Sequence, residues 1–324
     1  MSPKLKRLLR QAMKSVGLVF FLVAAYMIYT QLSKYSWTDI QAAILSVPLN
    51  NFIYAGIACV LSYIVISSYD RLAVQYIGRK VEWYKWMMAG FLGFAVSNNA
   101  GTAIVSGAAV RYRLYTRWRF QMSEIFRMII FSGMTYLVGC LFLIVIGYAI
   151  SPPDVRSAPV VVWLFWPCLF LLAVYFAAPF ILRFIKLKWA EEKSILIPGT
   201  PMAIKQVLTG ATDTFFASLI LYSLLYPIFP ISFEVYLGVF AISQVLGVFT
   251  PVPGAVGVFE GLFLFLLPGS EGHAPEIFGA LILYRIIYYL IPLIIAGIAW
   301  FFVLPQVLRL RKSPPLAKNV ECKI

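Results

Sequence analysis

Apolar residues along this chain do not alternate with polar ones. They gather into long runs: Val16–Leu32, Leu49–Tyr69, Ile125–Ile150, Val160–Phe184, Lys205–Tyr226 and Ile277–Val303. A helix needs roughly 20 mostly apolar residues to cross a bilayer. The strands of a membrane barrel would alternate apolar and polar positions instead. The pattern therefore predicts an all-α integral membrane protein with six spanning helices.

Two further apolar stretches are broken. Trp86–Val110 is interrupted by Ser97-Asn98-Asn99-Ala100-Gly101-Thr102, and Glu234–Leu267 by Thr250-Pro-Val-Pro-Gly-Ala-Val-Gly257. Proline removes an amide donor and glycine weakens a helix, so each stretch reads as two half-helices. The first lies between basic segments, and a single crossing would leave the arginines of Arg111–Arg119 outside. A re-entrant hairpin, folded back to the cytoplasm, avoids this. The second stretch lies in a region with no Lys or Arg between Lys205 and Arg285, and reads as a hairpin entering from the exterior. Span, span, hairpin, span then occurs twice in opposite orientations. This gives inverted halves of about 1–155 and 156–308 within a single transmembrane domain, with a tail at 309–324. Short echoes agree: Phe94-Ala-Val-Ser97 with Phe240-Ala-Ile-Ser243, Gly101 with Gly247, and Glu124-Ile-Phe126 with Glu276-Ile-Phe278. Inverted repeats with broken helices near the midplane organise many transporters. Non-helical backbone at that depth is tolerated only inside protein or beside water, so the hairpin tips are expected to line a cavity. Trp37–Pro48 reads equally well as an interfacial helix, with Trp37, Ile40, Ile44 and Leu45 on one side, or as an exterior loop.

Charge sets the orientation. The chain is 61% hydrophobic and 12% charged, about half the charge of a soluble domain. The net charge of +14 at first suggests nucleic acid. Yet 24 of the 27 Lys and Arg fall in five clusters, at the two termini and after runs or breaks, leaving only Lys34, Arg156 and Arg285. Such clusters mark cytoplasmic loops and contact anionic headgroups. No nucleic-acid partner is expected, and both termini are placed in the cytoplasm. The N-terminus is basic and then apolar like a signal peptide, but no small-residue cleavage site follows. It reads as an uncleaved first helix. Cys59, Cys140, Cys168 and Cys322 have no metal-ligand spacing and His273 stands alone, so no metal or cofactor is expected.

Ionisable residues at membrane depth carry the candidate chemistry. Asp70, Asp213, Glu260 and Arg285 are such residues. Asp70 adjoins Arg71 and reads evenly as an interfacial charge, in a local pair, or as functional. Asp213 lies among Thr209, Thr212 and Thr214. Glu260 and Arg285 are expected to form a buried ion pair, either as an architectural lock or on a transport path. Arg111 and Arg113 could receive a phosphate with their planar forks, or simply anchor the cytoplasmic side. Asn98 and Asn99, with Thr102 and Ser106, are placed to line a polar path or to satisfy freed backbone groups. There is no Walker loop, nucleotide-binding glycine motif, His cluster or carboxylate pair, so no enzymatic activity is expected. Gly90 and Gly93 permit close helix contacts, within one chain or in a homo-oligomer.

Three segments also resemble one family: Gly107-Ala-Ala-Val-Arg-Tyr-Arg-Leu-Tyr115, Pro251-Val-Pro-Gly-Ala-Val-Gly-Val-Phe-Glu260 and Tyr284-Arg-Ile-Ile-Tyr-Tyr-Leu-Ile-Pro292. The resemblance is to the transmembrane domain of lysylphosphatidylglycerol synthase/flippase, also called multiple peptide resistance factor. It runs over nearly the whole chain. It implies a lipid flippase-like domain in a bacterial cytoplasmic (inner) membrane, with an anionic or zwitterionic phospholipid headgroup as partner. By this resemblance Arg111, Arg113, Glu260 and Arg285 fall on motif positions, and Asp70 and Asp213 look like the family's intramembrane acids. The relatives carry a soluble lipid-charging domain, whereas this sequence ends soon after its last apolar run. The resemblance is therefore to a stand-alone member, a lipid translocator. The alternative is a membrane protein that assists a lipid-modifying or glycosylating enzyme.

Overall fold

A computed structural model describes residues 36–99, 103–151, 159–185, 198–248, 250, 252–270 and 272–302. The first apolar run, both terminal basic clusters and Thr102 lie outside these, as does the side chain of Ser106. Every regular element among the described residues is helical. In chain order they are α1 (Trp37–Leu45), α2 (Leu49–Tyr76), α3 (Trp83–Asn99), α4 (Ala103–Arg117), α5 (Met122–Ile150), α6 (Pro159–Ile185), α7 (Thr200–Leu225), α8 (Phe233–Val248), a short 3-10 turn (Pro253–Ala255), α9 (Val258–Leu266), α10 (Ala274–Tyr284), a π-helical turn (Arg285–Leu290) and α11 (Ile291–Phe302).

Among the described residues, four segments are long and apolar enough to cross a membrane: Leu49–Tyr76, Met122–Ile150, Thr200–Leu225 and Ala274–Phe301. They match four of the six apolar runs. A fifth run is the helix α6, which continues through Pro167 and Pro179. Local chemistry starts the helices where it should. Glu124 accepts from the Gln121 amide at 2.7 Å and so caps α5, and Pro201 opens α7 close to Gly199, where a missing amide costs nothing.

The central contact is α2 against α7, and α7 also packs along α5. Glycine makes the second crossing close. A methyl group on Gly139 would lie 2.2 Å from the Gly210 carbonyl carbon, and one on Gly210 would lie 2.1 Å from the Thr135 carbonyl oxygen. Small residues let membrane helices approach to backbone contact. Gly90 serves α3 against α2 in the same way, 2.6 Å from the Ser67 carbonyl.

Both broken stretches form helical hairpins. The arms α3 and α4 pack on each other, and their outer ends are tied together. Arg79, just before α3, donates to the Arg119 carbonyl just after α4 (3.2 Å) and to Glu124 in the first turn of α5 (2.8 Å). The arms α8 and α9 likewise pack together, and the rings of Phe229 and His273 meet at 5.3 Å beyond their outer ends. Trp37–Leu45 is a helix, capped by Ser36 and Asp39. Its buried side is Ile40 and Ala43, seated on Gly279 of α10. Trp37 and Leu45, expected on one side with Ile40, are exposed.

Candidate functional site

The charged residues at depth resolve into three centres. In the first, Asp70 of α2 is fully buried. Its carboxylate accepts from Arg111 Nε at 2.9 and 3.2 Å and from the Tyr115 hydroxyl at 3.0 Å. Arg111 is 4% exposed, and its guanidinium lies over the Phe94 ring at 4.4 Å. Gly93 makes room for it, since a methyl there would stand 3.0 Å from the guanidinium carbon. This corrects two expectations. Asp70 does not pair with Arg71, which instead stacks over Trp86 at 5.8 Å. Arg111 and Arg113 do not form one phosphate clamp. Residues two apart on a helix point to different sides, and Arg113 is exposed, 5.6 Å over Trp300.

The second centre is Asp213, 1% exposed in α7. It accepts from the Ser62 hydroxyl at 2.6 Å and the Tyr69 hydroxyl at 3.0 Å. Among the described residues it forms no ion pair. Successive residues of α2 therefore serve two centres, Tyr69 reaching Asp213 and Asp70 reaching Arg111.

The third centre is the expected pair of Glu260 and Arg285. Arg285 Nε donates to Glu260 at 2.5 Å, and Nη1 donates to the Gly254 carbonyl at 2.7 Å. Its guanidinium lies 4.4 Å over the Tyr289 ring. The other Glu260 oxygen accepts from the Gly257 amide at 2.7 Å and so caps α9. The Pro/Gly break is thus held by the charge pair beneath it. Gly254 has φ +60°, and a methyl on it would stand 2.9 Å from the Asn98 carbonyl. Only glycine meets both demands without strain.

The tips of the two hairpins meet at this point. Asn99 donates to the Tyr289 carbonyl at 3.1 Å and to Ala95 of its own arm at 2.8 Å. Opposite it, Pro292 has no amide hydrogen, so helical bonding before it is incomplete. The chain widens there into the π turn. Three successive carbonyls, of Ile287, Tyr288 and Tyr289, receive bonds from the Cys59 thiol (3.3 Å), the Tyr63 hydroxyl (3.1 Å) and Asn99. A buried carbonyl without a donor is costly in a bilayer. Side chains of α2 and of the first hairpin thus stabilise a locally opened helix, and π turns often mark functional sites.

The structure therefore brings together Asn98, Asn99, Glu260 and Arg285, and pairs Asp70 of α2 with Arg111 on the second arm of the first hairpin. Each hairpin carries one buried charge on its second arm, Arg111 or Glu260. Sequence reasoning missed Ser62, Tyr63, Tyr69, Tyr115 and Tyr288. The signal was present as hydroxyls recurring inside apolar runs, which is unusual unless they have acids or open carbonyls to serve. Among the described residues no cluster of His, Cys, Asp and Glu could hold a metal.

No family model matches the chain, but whole-length relatives do. The uncharacterized protein slr0712 of Synechocystis sp. is 31% identical over 287 residues, covering 86% of this chain and 87% of its own. The inner membrane protein YbhN of Escherichia coli is 28% identical over 310 residues, covering 93% and 95%. Phosphatidylglycerol lysyltransferase of Staphylococcus xylosus is 24% identical over 285 residues, covering 86% of this chain but 32% of its own length. The chain thus spans about a third of the lysyltransferases it matches.

Proposed function

We propose a role that starts from kinship, because this chain belongs to the transmembrane-domain family of lysylphosphatidylglycerol synthase/flippase. Our reading is a lipid translocator that moves a phospholipid or related amphiphile between leaflets of a bacterial inner membrane. The observation that carries it is the junction of two hairpin tips and an opened helix around Arg285.

The hairpin arms support re-entry rather than crossing. The arms α3 and α4, of 17 and 15 residues, are about 25 and 22 Å long, and α8 and α9, of 16 and 9, about 24 and 14 Å. A hydrocarbon core is about 30 Å thick. With the first apolar run as a further helix, the reading is six spans and two re-entrant hairpins in inverted halves, with both termini cytoplasmic. A lipid headgroup would pass along the junction of the tips while its acyl chains stay in the bilayer. Asn98, Asn99, Glu260 and Arg285 are polar groups at the junction. The pair of Asp70 and Arg111 braces the first hairpin, and Arg113 meets headgroups at the surface. Asp213 is the acid best suited to exchange a proton with the moving parts, since no arginine holds it.

The transferase activity named in the longer relatives is not carried over, and we read this domain as non-enzymatic. A second reading, assistance to a lipid-modifying or glycosylating enzyme, is favoured by one observation. The two buried arginines, Arg111 and Arg285, are each held by a carboxylate of the protein itself, as in an architectural lock.

The test is reconstitution. Vesicles with and without the protein carry a fluorescent phosphatidylglycerol in the inner leaflet, and an external quencher reports its arrival outside. Faster quenching with protein supports translocation. Equal rates for several headgroups, with and without a proton gradient, would move the reading to the assisting role.

A further inference from the structure

A second lipid-directed feature lies away from the hairpin junction. A cavity of about 310 Å³ runs between α5 and α6, walled by residues such as Met134, Leu137, Leu141, Leu171 and Val174. One end is polar, where the end of α2, the start of α5 and the start of α7 come together as Tyr76, Arg127 and Gln206. Most polar atoms at that end are already engaged. The Gln206 amide donates to the Phe131 carbonyl at 3.2 Å and to the Thr135 hydroxyl at 2.9 Å, while Tyr175 donates to the Gln206 side-chain oxygen.

Two groups stay open. The Tyr76 hydroxyl is buried and has no hydrogen-bond partner, and its ring is fixed by stacking on Phe131 at 4.6 Å. Arg127 forms no ion pair among the described residues, and its charge is felt both by Glu124, one turn before it, and by the Tyr76 hydroxyl. A buried hydroxyl without a partner is costly. A guanidinium beside it with no ion pair of its own suits a phosphate, which accepts from both.

The dimensions fit a lipid of one leaflet. Arg127 and Leu141 lie fourteen residues apart on α5, about 21 Å along the helix, whereas half the hydrocarbon core is about 15 Å. The cavity therefore runs from the basic rim of the bundle to the middle of the bilayer. Its α6 wall opens outward, with Leu171 half exposed, so an occupant can enter sideways from the bilayer.

We propose that this cavity binds one glycerophospholipid, its phosphate on Arg127 and the Tyr76 hydroxyl and an acyl chain along α5 and α6. The site does not rest on the translocation reading, since a lipid can dwell there in a protein that moves none.

The test uses the full chain in phosphatidylcholine vesicles containing a photoactivatable phosphatidylglycerol with its reactive group in the acyl chain. Labelled residues are mapped by mass spectrometry, and diacylglycerol with the same reactive chain serves as the phosphate-free control. The expected result is label concentrated on Met134, Leu171 and Val174 above the bilayer-facing residues Ile57 and Ile64. Arg127→Gln should lower phosphatidylglycerol labelling at least about threefold and leave the weaker diacylglycerol labelling unchanged. Leu137→Trp, which fills the cavity, should lower both. Arg127 is only partly buried, so its variant should fold, and a melting curve checks this. Label spread evenly over bilayer-facing residues would overturn the proposal. Phosphatidylglycerol labelling that survives Arg127→Gln in full would overturn it too. Loss of translocation with the label map intact would count against the translocator reading alone.

Discussion

Asp70→Asn and Asp213→Asn make the same chemical change at two buried carboxylates, and the structure predicts different outcomes. Asp70 faces a guanidinium that is 4% exposed and bonded to it at 2.9 Å. Neutralising it strands that charge in a low-dielectric interior. Breaking a buried pair from one side costs about 3–5 kcal/mol, a factor of roughly 150 to 4,000 in the folded-to-unfolded ratio. The Tyr115 bond weakens as well, because the acceptor is no longer ionised. Asp213 faces two hydroxyls and no cation. Asparagine keeps one oxygen acceptor for Ser62 or Tyr69, so the loss is that of one hydrogen bond, about 1 kcal/mol. Thermal unfolding of each variant in one detergent, followed by tryptophan fluorescence, should separate them. Asp70→Asn should melt well below the wild type and Asp213→Asn close to it. Asp70→Asn with Arg111→Gln should recover much of the loss, because no charge is then left alone. Equal melting of the two single variants, or no recovery in the double variant, would refute the pairing of Asp70 with Arg111.

Three further outcomes follow from other contacts. Gly210→Ala should destabilise by about 1–3 kcal/mol through overpacking, since its new methyl would meet the Thr135 carbonyl at 2.1 Å; a melting curve measures it. Gly254→Ala should slow lipid exposure in reconstituted vesicles more than it lowers the melting temperature, because the clash falls on the Asn98 carbonyl at the junction of the tips. At the start of α1, the Ser36 amide and then the Ser36 hydroxyl donate to Asp39 and hold its carboxyl below the usual carboxylate value. A depressed acid stabilises the folded form above its unfolded value, about 3.9, and loses that contribution as pH falls through the folded value. Amide exchange in Trp37–Leu45 should therefore be unchanged from pH 7 to 5, apart from intrinsic rates, and lose protection only below pH 4.

The runs and breaks of the fold were legible because a bilayer allows few alternatives to long apolar helices. The helix ends at Asn99 and Val248 and the restarts at Ala103 and Val258 follow the breaks read at Ser97–Thr102 and Thr250–Gly257. The pair of Glu260 and Arg285 was legible from depth alone, since each charge had few partners at its level. The pair of Asp70 and Arg111 was not, because 41 residues separate them and Arg71 offered a nearer partner on paper. Whether an arginine turns inward depends on which face of α4 meets α2. That is a packing outcome, made possible by Gly93, and two basic residues in an amphipathic segment do not reveal it. The π turn was hidden for a similar reason. Pro292 announces a missing donor, but the compensating groups come from Cys59, Tyr63 and Asn99, far away in sequence.

In a translocator of this build, lipid moves along the junction of the two hairpins. The most direct measurement compares the initial rate of lipid exposure for the wild type and for Glu260→Gln with Arg285→Gln, in matched vesicles. Neutralising both partners leaves no unpaired charge, so the double variant should still fold, and its melting curve is recorded alongside. The expected result is a folded protein whose rate falls to that of empty vesicles. A folded double variant with the wild-type rate would contradict it, and would place lipid movement elsewhere on the molecule.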